Sequence, residues 1–157
     1  MVSNFFVHSQ NNRFKLNLMI NIYEISASET LYIRQVVLWP SLELSECDLP
    51  EDANGIHLGA KINDQLVGVM SAFFDYKRVQ FRKFAILPEF QNKGIGTLLL
   101  DHLLKLAAEK EANEVWCDAR CDAINFYHRF GFITVGGEFL KNEVSYIVMS
   151  LNTEKVS

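Results

Sequence analysis

The sequence lacks what would commit it to a membrane, a nucleic acid or an oxidising compartment. Its three cysteines, Cys47, Cys117 and Cys121, are an odd set without the paired spacing of a disulfide framework. A reducing compartment, the cytoplasm, is expected. Cys117 and Cys121 stand four apart, but no His or Cys pair elsewhere completes a zinc set, so no metal is expected and the thiols read as free, buried or half-buried groups. No apolar run approaches the about 20 residues that span a bilayer, so no membrane partner is expected. Nor is a nucleic-acid partner: the formal net charge is −4 and Lys and Arg form no run. Residues 1–18 lack the basic start, apolar stretch and small-residue cleavage site of a signal peptide.

Present instead is the composition of a globular chain, 49% hydrophobic and 22% charged over 157 residues, enough for one domain with a substantial core. Residues 1–18 read as a flexible extension before Met19, or alternatively as an arm on a partner subunit in a homodimer. Residues 19–152 read as one domain, and 153–157 as a fraying tail.

Ile20 to Ile25 alternates as a strand, followed by a helix from about Glu29 to Leu38, with caps among Ser26 to Ser28 and a stop at Pro40. Leu31, Val37 and Leu38 are its expected core face. Arg34 and Trp39 read from the residues as a surface arginine and a half-buried tryptophan. Ser41 to Gly55, with Glu43, Glu46, Asp48, Glu51 and Asp52, reads as an acidic loop: solvated surface, or a field that favours a cationic ligand. Ile56 to Ile62 and Leu66 to Phe74 form a hairpin around Asn63-Asp64-Gln65, and a second turn at Asp75 to Lys77 leads into a strand from Arg78 to Leu87. After a helix ending near Ala112 and Asn113, Glu114 to Asp118 forms a strand parallel to the previous one. A helix from about Asp122 to Phe130 stops at a left-handed Gly131, and Phe132 to Val135 and Val144 to Leu151 close the sheet as a hairpin across Gly136-Gly137.

The most informative stretch runs from Gln80 to Leu104: an apolar strand, a break at Pro88, a loop with Gly94 and Gly96, then a helix with Leu99, Leu100, Leu103, Leu104 and Ala107 inside. A helix that opens from a glycine-bearing loop presents unpaired N–H groups and a positive dipole end, a geometry that binds phosphate. No Gly-Lys-Ser/Thr follows, and Leu99 stands where a dinucleotide fingerprint has its third glycine. Neither standard nucleotide loop fits.

Gln91-x-x-Gly94-x-Gly96 resembles the pyrophosphate loop of the GNAT N-acetyltransferases. Some thirty residues on, Ala123-Ile-Asn-Phe-Tyr127-His-Arg-Phe-Gly131-Phe132 resembles that family's A-x-x-F-Y-x-x-x-G-F segment. The resemblance implies an α/β (α+β) fold with a mixed sheet of six to seven strands. Its N-terminal part would be antiparallel, its fourth and fifth strands parallel and splayed, and about four helices would flank it. It also implies transfer of an acetyl group from acetyl-CoA to an amine acceptor. In that family the region after the first strand helps shape the acceptor pocket, which implies such a role as the alternative for Arg34 and Trp39. The backbone of Phe84, Ala85 and Ile86 would pair with the pantetheine arm, the Phe84 N–H facing the thioester oxygen. The N–H groups of Asn92, Lys93, Gly94, Ile95, Gly96 and Thr97 would hold the pyrophosphate, with side-chain help from Gln91 and Lys93, the latter open to reading as a solvent-facing lysine.

Tyr127 is the implied acid that protonates the departing thiolate, against the plainer reading of an aromatic packed beside Phe126 and Phe130. Arg120 stands where many relatives carry an Asn that contacts the coenzyme, and reads either as a phosphate or carboxylate partner or as surface. No base stands out. Gln80 and Arg82 occupy the positions where relatives place Glu or His, leaving a water chain to Asp118, Glu43 or His57, or an acceptor of low pKa; His57 also reads as structural. The runner-up function is a non-catalytic acyl-CoA-binding regulatory module.

Overall fold

The computed structural model describes residues 19–155. Its strands are β1 (Ile20–Ile25), β2 (Ile56–Ile62), β3 (Gln65–Asp75), β4 (Arg78–Ile86), β5 (Glu114–Arg120), β6 (Ile133–Lys141) and β7 (Val144–Asn152). Its α-helices are α1 (Ala27–Ile33), α2 (Ile95–Glu109) and α3 (Ile124–His128), three among the described residues where about four were expected. The strands form one mixed sheet in the order β1-β2-β3-β4-β5-β7-β6. β4 and β5 are parallel, with Arg78, Val79 and Gln80 in register with Glu114, Val115 and Trp116, as a crossover through α2 requires. β5 pairs antiparallel with β7 along its whole length. The expected extension at residues 1–18 lies outside the described residues.

By their contacts the described residues fall into two compact units. One comprises residues 19–71 and 83–102. Its core gathers Ile25, Ile33, Val69, Ala85 and Leu87, with Val37, Leu38, Leu66 and Phe90 packed against them. Burying each such aliphatic side chain contributes about 1.5–3 kcal/mol, so this cluster fixes α1 against the end of β4. The other unit comprises residues 72–82 and 103–155. Val79, Phe81, Val115, Cys117, Ala119, Phe132, Ile147 and Met149 are buried in it.

Several elements differ from the sequence reading for local reasons. α1 begins two residues early, because Ser26 and Glu29 form a reciprocal capping box, with Glu29 N–H donating to Ser26 Oγ at 3.4 Å and Ser26 N–H to Glu29 Oε1 at 3.1 Å. The expected helix then widens into a single π turn over Arg34–Leu38, in which the Trp39 N–H donates to the Arg34 carbonyl at 3.1 Å. Thr30, Ile33 and Arg34 are its buried residues, while Leu31, Val37 and Leu38 are half-buried. The acidic segment holds two 3-10 turns, Leu44–Cys47 and Pro50–Asn54, rather than open loop. The helix after Asp122 is shorter than expected, its first turn being the 3-10 turn Cys121–Ala123.

The closing hairpin is the clearest correction. Its turn lies at Asn142 and Glu143, whose φ values of 49° and 65° suit a two-residue type I′ turn. Gly136 and Gly137 belong inside β6, where they and Glu138 stand opposite Ile147 alone. They make a bulge, not a turn. Thr153, expected to fray, is tied down: its N–H donates to the Asn113 carbonyl at 3.0 Å and its hydroxyl to the Ala112 carbonyl at 2.5 Å.

Gly131 adopts the left-handed conformation expected of it, at φ +95°. A Cβ there would meet only Leu151 Cδ1, at an ordinary 3.4 Å, so replacement costs backbone strain and little else. We expect Gly131→Ala to lower the unfolding free energy by about 1–2 kcal/mol. Gly137→Ala, which meets open space, should change it by less than about 0.5 kcal/mol in the same urea titrations.

Candidate functional site

The candidate residues fall into two groups, one in each unit. In the first unit β4 carries a non-glycine residue in the left-handed region, Lys83 at φ 53°, immediately before Phe84. Such a kink re-aims the strand beyond it. Ala85 is buried, Phe84 and Ile86 half-buried. At the end of the strand the Leu87 N–H donates to the Val67 carbonyl at 2.9 Å, and the Gln91 side chain donates to the Ile86 carbonyl at 2.9 Å. One Gln91 amide hydrogen is thereby committed to the chain's own backbone, where it holds the loop to the strand.

The loop then turns through two left-handed residues, Asn92 at φ 61° and Gly94 at φ 87°. The Leu98 N–H donates to the Gly94 carbonyl at 3.2 Å, which sets the first turn of α2. The N–H groups of Ile95, Gly96 and Thr97 precede that bond and have no acceptor within the helix. The Ile95 side chain is only 1% exposed and anchors the helix start, while Gln91, Asn92, Lys93 and Thr97 lie at the surface. Backbone donors at the positive end of a 15-residue helix are the kind of cradle an anion can use, and the Lys93 ammonium, 5.7 Å from the Phe90 ring centre, adds charge on the same loop. The cradle fits a pyrophosphate in its chemistry.

In the second unit Tyr127 is buried on α3, its ring 5.8 Å from Phe81, 5.8 Å from Phe132 and 5.1 Å from Phe126, centre to centre. Cys117 on β5 is buried beside it and acts on its hydroxyl electrostatically. Burial pushes the phenol well above its ordinary range, helped by the Cys117 thiol, and burial likewise pushes Cys117 up to about 12. Tyr127 therefore stays a hydrogen-bond donor throughout the physiological range. Arg120 lies exposed, 3.6 Å from Asp122. Asp118 is 3.4 Å from Lys141.

Two sequence readings change. Arg34 is no surface residue: its guanidinium is fully buried and forks onto Asp52, Nη1 to Oδ2 at 2.6 Å and Nη2 to Oδ1 at 2.9 Å. Asp52, read as part of a solvated acidic loop, is its buried partner. His57, one of three candidate bases, is 4% exposed, with Nδ1 2.7 Å from Ser71 Oγ and Nε2 2.9 Å from the Asp52 carbonyl. It is structural.

The profile of the acetyltransferase (GNAT) family matches residues 19–132, well over half of the chain. The chain belongs to the GNAT acetyltransferase family. The N-acetyltransferase YitI of Bacillus subtilis, itself uncharacterised, is 27% identical over 130 residues, covering 77% of this chain and 87% of its own. The fold is that of the ribosomal-protein-S18-alanine N-acetyltransferase of Escherichia coli, with a TM-score of 0.74 at 16% identity over 85% of this chain and 94% of the other. A GNAT acetyltransferase of Elizabethkingia anophelis, solved with acetyl-CoA bound, superposes with a TM-score of 0.67 at 19% identity, covering 85% and 98% of the two chains. Among the described residues of this GNAT chain no helix is long and apolar enough to cross a membrane.

Sequence reasoning missed Ser71, Asp52 as a buried partner and the burial of Cys117 beside Tyr127 in this GNAT chain. One signal was available for Arg34, which continues the stripe of Thr30, Ile33 and Val37 at helical spacing. The others depend on contacts far apart in sequence.

Because burial raises both Cys117 and Tyr127 in the folded state, they contribute stability that is complete below about pH 8.5 and is lost as the thiol and phenol ionise in the unfolded chain. Urea midpoints should therefore fall between about pH 9 and 12. The fall should be shallower in a Cys117→Ala variant; equal slopes in the two proteins would contradict the assignment.

Proposed function

We propose that this chain transfers the acetyl group of acetyl-CoA to a primary amine of a small molecule or protein, by direct attack in a ternary complex. The observation that carries the reading is the opening of α2, where Gly94 and Asn92 turn the backbone and leave the N–H groups of Ile95, Gly96 and Thr97 for an anion. The coenzyme would supply the acetyl group as a thioester, already activated toward an amine. Gly94, Gly96 and their neighbours would bind its pyrophosphate. The kink at Lys83 would direct the Phe84 N–H at the thioester oxygen, where it stabilises negative charge as the amine attacks.

Tyr127 would then donate a proton to the departing sulfur. A thiol of reference pKa about 8.5 needs only modest help, and a phenol ordinarily near 10 can supply it. Burial holds that proton more firmly here, so the help would come chiefly as a hydrogen bond to the sulfur as charge builds. An alkyl ammonium of pKa near 10 must lose a proton before it attacks, and with His57 engaged the remaining carboxylate candidates are exposed Glu43 and half-buried Asp118. A second reading, a non-catalytic acyl-CoA-binding module, is favoured by the burial of the Tyr127 phenol, which makes it a weak acid.

Calorimetry with acetyl-CoA, followed by thiol release against a panel of amines, separates the two. For the enzyme we expect binding, amine-dependent turnover, and a loss of roughly 100-fold or more in kcat for Tyr127→Phe. Binding without turnover supports the module, and absence of binding removes both. For the enzyme, kcat/KM should also rise with pH as the acceptor deprotonates, with no descending limb from Tyr127 below about pH 10.

A further inference from the structure

The buried cluster around Arg34 has no part in the chemistry above, yet it is the most elaborate polar arrangement of its unit. Arg34 Nη1 donates to Asp52 Oδ2 at 2.6 Å and to the Cys47 carbonyl at 3.1 Å, and Nη2 donates to Asp52 Oδ1 at 2.9 Å and Ser71 Oγ at 2.9 Å. For a neutral imidazole one proton map satisfies these contacts. The Asp52 carbonyl can only accept, so His57 Nε2 carries a hydrogen. Ser71 Oγ accepts from Arg34 and passes its own hydrogen to His57 Nδ1. The Leu49 N–H adds a bond to Asp52 Oδ2 at 3.0 Å. Burial alone would raise the Asp52 carboxyl, but the hydrogen bonds from Arg34 and Leu49 hold it below its ordinary value.

Stability is a poor explanation for this arrangement. Removing two charges from water costs about what their attraction returns, and apolar replacements of similar volume are often as stable. Here Arg34 Nε is additionally left without a partner among the described residues. What a bidentate fork does supply is geometry. Arg34 is the first residue of the π turn, and its carbonyl accepts the Trp39 N–H that ends it. From that turn Val37 and Leu38, with Ile33 before it, pack on the core that includes Ala85 and Leu87 of the β4 end. Trp39 closes the other side, its ring 4.5 Å from the Lys83 ammonium at the strand kink.

We infer that Arg34, Asp52, Ser71 and His57 are positioning residues that lock the π turn and Trp39 onto the Lys83–Leu87 stretch, and thereby set the backbone geometry at Phe84. The catalytic consequence rests on the acetyl-transfer reading; the locking does not. Loss of the lock should lower kcat more than coenzyme affinity, since the pyrophosphate cradle begins beyond it and only the pantetheine-pairing backbone lies within it.

The test uses the full chain in a Trp116→Phe background, where Trp39 is the sole tryptophan. The double variant Arg34→Met with Asp52→Asn removes both charges together and so leaves no unpaired buried ion. Ser71→Ala, a milder change, provides the same reading should the double variant fail to fold. For the double variant we expect kcat with the best acceptor reduced about tenfold, an acetyl-CoA Kd raised by a smaller factor of about three, and acrylamide quenching of Trp39 increased about twofold; Ser71→Ala should move the same way by a smaller factor. Arg34→Lys, which keeps the charge but not the fork, should fail to restore kcat. A folded double variant with wild-type kcat and wild-type quenching overturns the inference. If the wild type binds no acetyl-CoA, the acetyl-transfer reading fails by itself, and the quenching still decides whether the cluster holds the turn.

Discussion

A guanidinium buried out of reach of water must find its partners within the protein, and Arg34 draws them from the 3-10 turns that carry Cys47 and Asp52 and from Ser71 on β3. His57 on β2 closes the ring through Ser71 and the Asp52 carbonyl. One ion pair thus ties the segment after β1 to two strands. The alternative, a buried charge with no partner, costs several kcal/mol, which is enough to enforce a single arrangement of the segment. Around that fixed point Ile33, Val37 and Leu38 meet the end of β4.

Beyond β4 the controlling constraint passes to the backbone. The chain must leave a strand and enter a helix over a few residues, and it does so with left-handed conformations at Asn92 and Gly94 and a side-chain tie from Gln91 to Ile86. Ile95 is sunk in the core, so the helix start cannot drift, and its first N–H groups stay fixed where an anion can use them. A binding cradle made of backbone depends on rigidity more than on side-chain chemistry. In the acetyl-transfer reading its glycines therefore matter more than its exposed side chains.

In the second unit the same economy makes Tyr127 a buried donor. Three aromatic rings and Cys117 surround it, and burial keeps its proton on. A proton held that firmly suits a hydrogen-bond donor rather than a strong acid.

The alternating apolar pattern of β1 to β4, the glycine loop, the helix after it and the left-handed Gly131 were all legible in the sequence, because each follows from periodicity or backbone chemistry within a few residues. The parallel pairing of β4 with β5 was legible too, since a crossover helix permits little else. Tertiary contact decided the rest. The local pattern around Gly136-Gly137 suits a turn or a bulge, and only the register of β6 on β7 selects the bulge. Arg34, Asp52 and His57 look like solvated or ambiguous residues one by one, because a charge's burial depends on partners 18 and 37 positions away. The sequence by itself determined where a helix start would open from a glycine-bearing loop; only the folded chain decided which charges would be removed from water, since that free energy exists only once the partners have met.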